Sequence, residues 1–180
     1  MLCWSFACCL KMRISKEFNS KRYRRDKAMK TILVLLAFIP AIASADTYEA
    51  RVTRMAKANG YKPSDRIVKA IANAARAYDI RPRDLTAIAI VETGLGRYER
   101  TMINANGTKD VGLFQINEIN HDKCLEYNLE TPEGSAMCAA KLLSEIKKRH
   151  QDFVARYHSK TLKHRVNYAR KISSVFEKGK

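Results

Sequence analysis

From residue 46 onward, apolar residues recur every three or four positions, which is the spacing of one face of an α-helix. Pro or Ser stands near several predicted helix starts, and Gly follows two of the ends. The predicted helices are Tyr48–Asn59, a helix opened by Pro63 and running through Tyr78, Arg81 to Gly94, Thr131 toward Arg149, and Leu162–Glu177. This pattern predicts a compact, mostly α-helical domain.

Residues 94–112 interrupt the helical pattern. They are rich in turn-forming residues, namely Gly94, Gly96, Asn104, Asn106, Gly107 and Gly112. Such a composition favours a loop or a short irregular hairpin between the third and fourth helices. After it, Leu113, Phe114 and Ile116 are predicted to anchor the following segment, as either a core strand or a turn.

The first 45 residues have the pattern of a targeting segment. Residues 31–45 carry no charge and are mostly apolar, basic residues precede them, and Ala43-Ser44-Ala45 supplies a small-residue cleavage site. We therefore predict a secretory signal peptide at 29–45 and a mature domain at 46–180. A permanent anchor is the weaker alternative, because a spanning helix needs about 20 apolar residues. Residues 1–28 are interpreted as an upstream start or a disordered basic tail, with a cytoplasmic arm as the alternative.

The charge of the chain suits an anionic partner. The net charge is +16 overall, of which +7 lies in residues 1–45, so the predicted mature domain retains +9. A basic domain of this kind favours peptidoglycan, nucleic acid or a membrane surface, without selecting among them. The chain lacks aromatic residues interleaved with the basic ones, and it carries an export signal. Both features argue against nucleic acid.

Two cysteines remain after the predicted cleavage, Cys124 and Cys138. An even number of cysteines in an exported chain favours a disulfide that closes a short loop, and two buried thiols are the alternative. The four histidines show no metal-ligand spacing with these cysteines, and the chain has no phosphate-binding glycine loop. We therefore expect no metal and no cofactor.

Glu92 is the leading candidate for a catalytic residue. It follows Leu85, Ile88 and Ala89 at helical spacings, so it lies on the apolar face of its helix, in the last turn. Burial and the negative end of the helix dipole both disfavour its charged form and raise its pKa. A general acid that works near neutral pH needs such a raised pKa. The alternative is a solvated glutamate at a frayed helix end.

A second carboxyl, Asp110, lies eighteen residues after Glu92 in the glycine-rich segment. Glycoside cleavage needs one carboxylic acid for the departing oxygen, and a second carboxylate can stabilise the cationic sugar. Gly112 permits a close approach between the backbone and a ligand. The amides of Gln115 and Asn117 suit hydrogen bonds to sugar hydroxyls or N-acetyl groups. Asp110 has an alternative role as a turn residue that bonds its own backbone.

Three motifs occur in an order that resembles the lytic transglycosylases of the soluble-transglycosylase type. They are Glu-Thr-Gly-Leu at 92–95, Asp-Val-Gly-Leu-Phe-Gln-Ile-Asn at 110–117, and Tyr157-His158-Ser159 followed by Tyr168. The chain is most similar to small exported members that accompany type III and type IV secretion, conjugation, pilus assembly and some phages. The resemblance runs from about Ile67 to Ile172. It implies a lysozyme-like α fold of the goose and transglycosylase type, with Glu92 as acid/base and the saccharide against Gln115, Asn117 and Tyr157.

Two departures leave details of the site open. The Asp110 loop is also similar to the catalytic loop of animal-type lysozymes, in which the Asp is the second carboxylate. Many family members have Tyr-Asn-x-Gly where this chain has Tyr157-His158-Ser159-Lys160. Tyr157 is expected to hydrogen-bond either the glutamate or the sugar. His158 is either a substitute polar contact or a surface histidine.

The resulting prediction is an exported muramidase of the periplasm or cell envelope that acts as a monomer on peptidoglycan. It is expected to cleave the MurNAc–GlcNAc β-1,4 bond, to leave a 1,6-anhydro product, and to open the wall locally for a secretion, conjugation, pilus or phage-injection machine. One alternative is a hydrolytic lysozyme that uses Glu92 and Asp110. The other is a basic wall-binding module without catalysis.

Overall fold

The computed structural model describes residues 46–98 and 101–179. The predicted tail at 1–28 and the predicted signal peptide at 29–45 lie outside the described residues. The α-helices are α1 (Tyr48–Ala58), α2 (Asp65–Ala77), α3 (Pro82–Thr93), α4 (Pro132–Lys147), α5 (Phe153–His158) and α6 (Leu162–Lys178). The strands are β1 (Met102–Ile103), β2 (Lys109–Val111) and β3 (Ile116–Asn117), and a 3-10 helix spans Glu118–Cys124. The prediction of a mostly helical domain is confirmed.

Helix α3 is the centre of the described domain. It contacts α1, α2, α4 and α6, and every residue from Asp84 to Ile90 is buried. Pro82 occupies the first helical position, and Gly94 ends the helix in the left-handed conformation with φ of 59°. Glycine adopts this conformation without the steric penalty of a side chain, which is why the helix stops there. Because the helix ends at Gly94, Glu92 lies in its last turn.

The sheet is small and antiparallel, with the strand order β1-β2-β3. Asp110 pairs with Met102 on one side and with Asn117 on the other. The predicted loop or irregular hairpin thus contains the β1–β2 hairpin. β3 lies in the segment for which either a strand or a turn was predicted, and the 3-10 helix was not predicted. Strands of two or three residues are too short to show the alternation by which a strand is recognised in sequence.

The segment between β2 and β3 is a tight turn packed into the core. Leu113, Phe114 and Ile116 are all buried, which confirms their predicted role as anchors. Of the two forms left open by the sequence, the turn is found for Gly112 to Gln115. Both of these residues have positive φ angles, 77° and 48° respectively.

The buried face of the last helix differs from the predicted one. The spacing of Val166, Ala169, Ile172 and Phe176 in the sequence predicts one apolar face, but Val166 is 41% exposed. The buried residues of α6 are instead Tyr168, Ile172 and Val175, at spacings of four and three. The two faces share Ile172, and the buried one is rotated toward Tyr168 and Val175.

Cys124 and Cys138 form a disulfide with a Cα–Cα distance of 5.5 Å, as predicted. The bond joins the end of the 3-10 helix to the middle of α4, and both cysteines are buried. Closing a loop of this size contributes about 3 kcal/mol of stability in the chain-entropy model. The disulfide therefore fixes the 3-10 helix, which follows β3 directly, to the main helical body.

Across residues 46–98 and 101–179, no helix combines the length and the apolar character that crossing a bilayer requires.

Candidate active site

Glu92 lies in the last turn of α3 with its side chain partly buried. Its Oε1 accepts a hydrogen bond of 2.7 Å from the hydroxyl of Tyr168, which reaches it from the buried face of α6. A hydroxyl that donates to a carboxylate favours the charged form of the carboxylate. The contact therefore fixes the orientation of Glu92 and partly offsets the effect of burial on its pKa.

The environment of Glu92 raises its pKa from the ordinary 4.5 to about 7. Burial is the largest cause, and the negative charge of Asp110 adds to it. The Tyr168 hydrogen bond and the positive charge of Lys171 act in the opposite direction. Burial is thus the stronger influence, and Glu92 is divided between its protonated and ionised forms near neutral pH, as a residue that both gives and takes a proton requires.

Thr93 connects the end of α3 to the turn between β2 and β3. Its side chain is buried, and its Oγ1 lies 2.8 Å from the carbonyl oxygen of Leu113. Thr93 Oγ1 also accepts the backbone N–H of Gly96 at 3.1 Å. The sequence argument missed this residue, although its spacing of four from Ala89 places it on the buried side of the helix. Thr93 holds Glu92 in register with the sheet.

Asp110 and Asn117 form a polar pair across β2 and β3. Asn117 donates from Nδ2 to Oδ1 of Asp110 at 2.7 Å and to Oγ1 of Thr108 at 2.9 Å. Its own Oδ1 accepts the backbone N–H of Ile119 and caps the 3-10 helix. Asp110 is therefore a strand residue with a side-chain partner, not a turn residue that bonds its own backbone. Its negative charge is one of the causes that raise the pKa of Glu92.

Gly112 brings two parts of the protein backbone together. A Cβ at this position would lie 2.0 Å from the carbonyl oxygen of Leu129 and 2.9 Å from Oγ of Ser135. A ligand was expected to use this space, but the backbone of Leu129 and the side chain of Ser135 fill it. Ser135 also accepts the backbone N–H of Phe114 at 3.1 Å. The proposed contact between Gly112 and substrate stays a prediction.

Gln115 turns its amide back onto its own loop, where Nε2 donates to the carbonyl oxygen of Gly112 at 2.9 Å. This bond closes the turn in which Gln115 has a φ of 48°. Contacts of Gln115 and Asn117 with sugar stay predictions. In the structure, the amide of Gln115 stabilises the turn, and the amide of Asn117 holds the carboxylate of Asp110.

The comparison with protein families decides the identity of the fold. The model of the Transglycosylase SLT domain matches residues 69–169, which is more than half of the chain. The chain belongs to this family. The match includes Glu92, Asp110, Tyr157 and Tyr168. The predicted resemblance to the soluble-type transglycosylases and the predicted lysozyme-like fold are thereby confirmed.

A relative among characterised proteins is protein IpgF of Shigella sonnei. It is 28% identical to this chain over 154 residues, which cover 78% of this chain and 86% of the relative. Membership in the SLT family supports a peptidoglycan transglycosylase activity in general terms, peptidoglycan as the substrate, and a site of action outside the cytoplasm.

The hydroxyl of Tyr157 donates to the backbone and not to the glutamate. This hydroxyl, at the end of α5, donates to the carbonyl oxygen of Phe114 at 2.8 Å. Of the two partners expected from the sequence, the glutamate is thus taken by Tyr168, and a contact of Tyr157 with sugar stays a prediction. Burial and the negative charges of Glu92 and Asp110 raise the pKa of Tyr157 well above 10, so this phenol remains neutral.

His158 follows Tyr157 and lies flat against the ring of Tyr168. The two ring centroids are 4.8 Å apart and the planes differ by 4°. His158 is exposed, so it is a surface histidine as one of the two alternatives held, and its ring also packs on Tyr168. Among residues 46–98 and 101–179, no group of three His, Cys, Asp or Glu side chains is placed to hold a metal ion.

Proposed function

We propose that this SLT-family protein cleaves the β-1,4 bond between MurNAc and GlcNAc in peptidoglycan and leaves a 1,6-anhydro end. The observation that carries the proposal is one partly buried carboxyl, Glu92, with a pKa raised to about 7 and a phenol hydrogen-bonded to it. A single group that titrates near neutral pH suits a reaction in which the same carboxyl first donates and then accepts a proton.

The reaction proceeds in two steps. Protonated Glu92 donates its proton to the glycosidic oxygen as the bond from that oxygen to C1 of MurNAc breaks, and positive charge develops on the sugar ring. The carboxylate then takes the proton of the 6-hydroxyl while that oxygen bonds to C1, which closes the anhydro ring. Glu92 returns to its protonated form, and no water is consumed. Between the steps, the Tyr168 hydroxyl stabilises the ionised carboxylate.

Asp110 gives the hydrolytic alternative its specific support. Its charge acts directly on Glu92, and Asn117 holds its carboxylate in place across the sheet. In a lysozyme, this carboxylate would stabilise the sugar intermediate and water would open it. In the transglycosylase that we favour, Asp110 is a structural neighbour that raises the pKa of Glu92.

Product analysis tests the proposal. We would incubate the purified protein and its Asp110→Asn variant with peptidoglycan sacculi and identify the soluble fragments by mass. We expect muropeptides one water lighter than the reducing forms from both proteins, because the anhydro closure does not need a second carboxylate. Reducing ends from the unmutated protein, together with loss of activity in Asp110→Asn, would assign a lysozyme instead.

The rate of cleavage is expected to fall as pH rises through about 7, because only protonated Glu92 can donate to the departing oxygen. Above this value, the protonated fraction drops about tenfold for each pH unit. The measurement is kcat/KM for muropeptide release from about pH 3 to about pH 9, a range that includes both the ordinary pKa of 4.5 and the raised value of about 7. Tyr168→Phe should move the inflection upward, since it removes a bond that favours the ionised form. An inflection near the ordinary 4.5 would contradict the assignment.

The organisation and location of the protein complete the proposal. Residues 29–45 act as a signal peptide, residues 1–28 are an upstream or disordered basic tail, and residues 46–180 are the exported enzyme. This is supported by the uncharged apolar stretch at 31–45 and by the excess positive charge of residues 46–180, which suits an acidic wall polymer. The enzyme then works as a monomer in the periplasm or cell envelope. It opens the wall locally for a secretion, conjugation, pilus or phage-injection machine.

A further inference from the structure

The stacked pair of His158 and Tyr168 lies directly behind the candidate acid. His158 is the last residue of α5, and Tyr168 lies in the middle of the buried face of α6. One edge of the tyrosine carries the hydroxyl that donates to Glu92. The imidazole covers one face of the same ring. A chain of contacts therefore runs from α5 through α6 to the end of α3.

The position of the Tyr168 hydroxyl depends on the tilt of its ring. The hydroxyl lies at the far end of the side chain, so a small rotation about the Cα–Cβ bond moves it away from Oε1 of Glu92. A parallel ring at contact distance restricts that rotation, because aromatic rings prefer such offset stacking to looser contact. His158 supplies this restraint at a position where many family members carry an asparagine, which has no ring.

We propose that His158 is a positioning residue, which holds the Tyr168 hydroxyl on Glu92 through ring stacking and makes no contact with the bond being cleaved. The inference rests on the proposed function, in which Glu92 is the acid and the base.

The charges around His158 favour a neutral ring. The groups that act on it are Lys171 and His164 of α6 and Asp110 of β2. Burial and the two positive groups lower the pKa of His158, whereas Asp110 raises it, and the net effect is a lowered pKa. The lowered pKa favours the uncharged imidazole. Phenylalanine is accordingly a fair substitute for its ring, without nitrogen atoms.

A double-mutant cycle on sacculi cleavage tests the proposal. The proteins are the unmutated chain, His158→Ala, His158→Phe, Tyr168→Phe and the combined His158→Ala/Tyr168→Phe variant. We expect His158→Ala to lower kcat about tenfold with little change in KM, since a small misplacement of a catalytic contact has an effect of this order. His158→Phe should recover most of the loss. In the Tyr168→Phe background, His158→Ala should cause no further loss, because the hydroxyl that it positions is gone.

Two kinetic outcomes would overturn the proposal. If His158→Phe is as slow as His158→Ala, the ring nitrogens matter and His158 is a substrate contact. If His158→Ala causes the same loss in both backgrounds, it does not act through the Tyr168 hydroxyl. His150→Ala is the matched control, since this histidine is exposed beyond the end of α4 and should leave kcat and KM unchanged.

A second measurement does not depend on turnover. The pKa of Glu92 can be followed by ¹³C NMR of its side-chain carboxyl in the same set of variants. Loss of a hydrogen bond to the ionised form raises a carboxyl pKa, so Tyr168→Phe and His158→Ala should both raise it, and His158→Phe and His150→Ala should not. A rise in Tyr168→Phe with no change in His158→Ala would overturn the positioning role. Because this titration needs no cleavage, it tests His158 even if the protein releases no muropeptides and the proposed function fails.

Discussion

Glu92→Gln is expected to lower the release of soluble muropeptides by about a thousandfold or more, because general acid and base catalysis typically contributes this much. Glutamine has nearly the same shape but cannot donate a proton as an acid or accept one as a base. The Tyr168 hydroxyl can still donate to the amide oxygen, so the site should keep its geometry. Binding to sacculi, measured by co-sedimentation, should be retained.

The matched control is Glu130→Gln, which makes the same chemical change at an exposed position before α4. It should leave both the cleavage rate and the binding unchanged. A Glu92→Gln variant that keeps more than a small fraction of the unmutated rate would remove Glu92 from the mechanism. If neither the unmutated protein nor Glu92→Gln releases fragments, although both bind sacculi, the chain is a wall-binding module.

The same substitution should also stabilise the folded domain at alkaline pH. The folded pKa of Glu92 is raised from 4.5 to about 7, so the folded state holds its proton more tightly than the unfolded state does. Ionisation therefore costs stability, and this cost grows as pH rises from 4.5 to about 7 and then levels off. At about 1.4 kcal/mol per pH unit, the full cost is roughly 3 kcal/mol. Thermal unfolding at pH 8, roughly one unit above the folded pKa, should show a higher midpoint for Glu92→Gln than for the unmutated protein.

The position of Glu92 could be predicted from sequence because helical periodicity is local. Three apolar residues of α3 and a following glycine determine which face the glutamate occupies and where the helix stops. Burial then raises its pKa through a mechanism that needs no knowledge of distant residues. Asp110 was predicted from its place in the glycine-rich segment and Tyr157 from family resemblance, and both interact electrostatically with Glu92.

Which tyrosine bonds the glutamate could not be predicted in this way. Tyr157 was expected to hydrogen-bond either the glutamate or the sugar, but it bonds the carbonyl of Phe114, and Tyr168 bonds the glutamate. The choice depends on how α5 and α6 pack against α3, which is a tertiary property. α5 is only six residues long and has no fully buried residue, so its sequence carries too weak a pattern to be recognised as a helix.

The contact that Gly112 makes could not be predicted from the sequence either. A glycine in a turn indicates a positive φ or a close approach, but it does not indicate what approaches. The partner is Leu129, seventeen residues later, just before α4 begins. Only the folded chain shows that the turn bearing Phe114 is pressed against the start of this helix.

Gly112→Ala is expected to destabilise the protein by roughly 3–5 kcal/mol and to reduce cleavage with it. The new Cβ would lie 2.0 Å from the carbonyl oxygen of Leu129, which is backbone and cannot rotate away. Relief requires the turn to move off α4, which breaks the bond from Phe114 to Ser135. It also displaces the carbonyl of Phe114 that Tyr157 holds. Equilibrium unfolding in guanidinium chloride measures the loss.

Gly107→Ala separates the clash from the backbone strain. Gly107 has a φ of 83°, close to the 77° of Gly112, but a Cβ at Gly107 meets no atom within 4 Å. Its substitution should therefore cost only the left-handed penalty, which is about 1–2 kcal/mol. The difference between the two variants then measures how firmly the β2–β3 turn is held against α4. Equal losses would mean that α4 yields to the added methyl group. Phe114, and through it Tyr157, would then be held less rigidly than the hydrogen bonds at this turn imply.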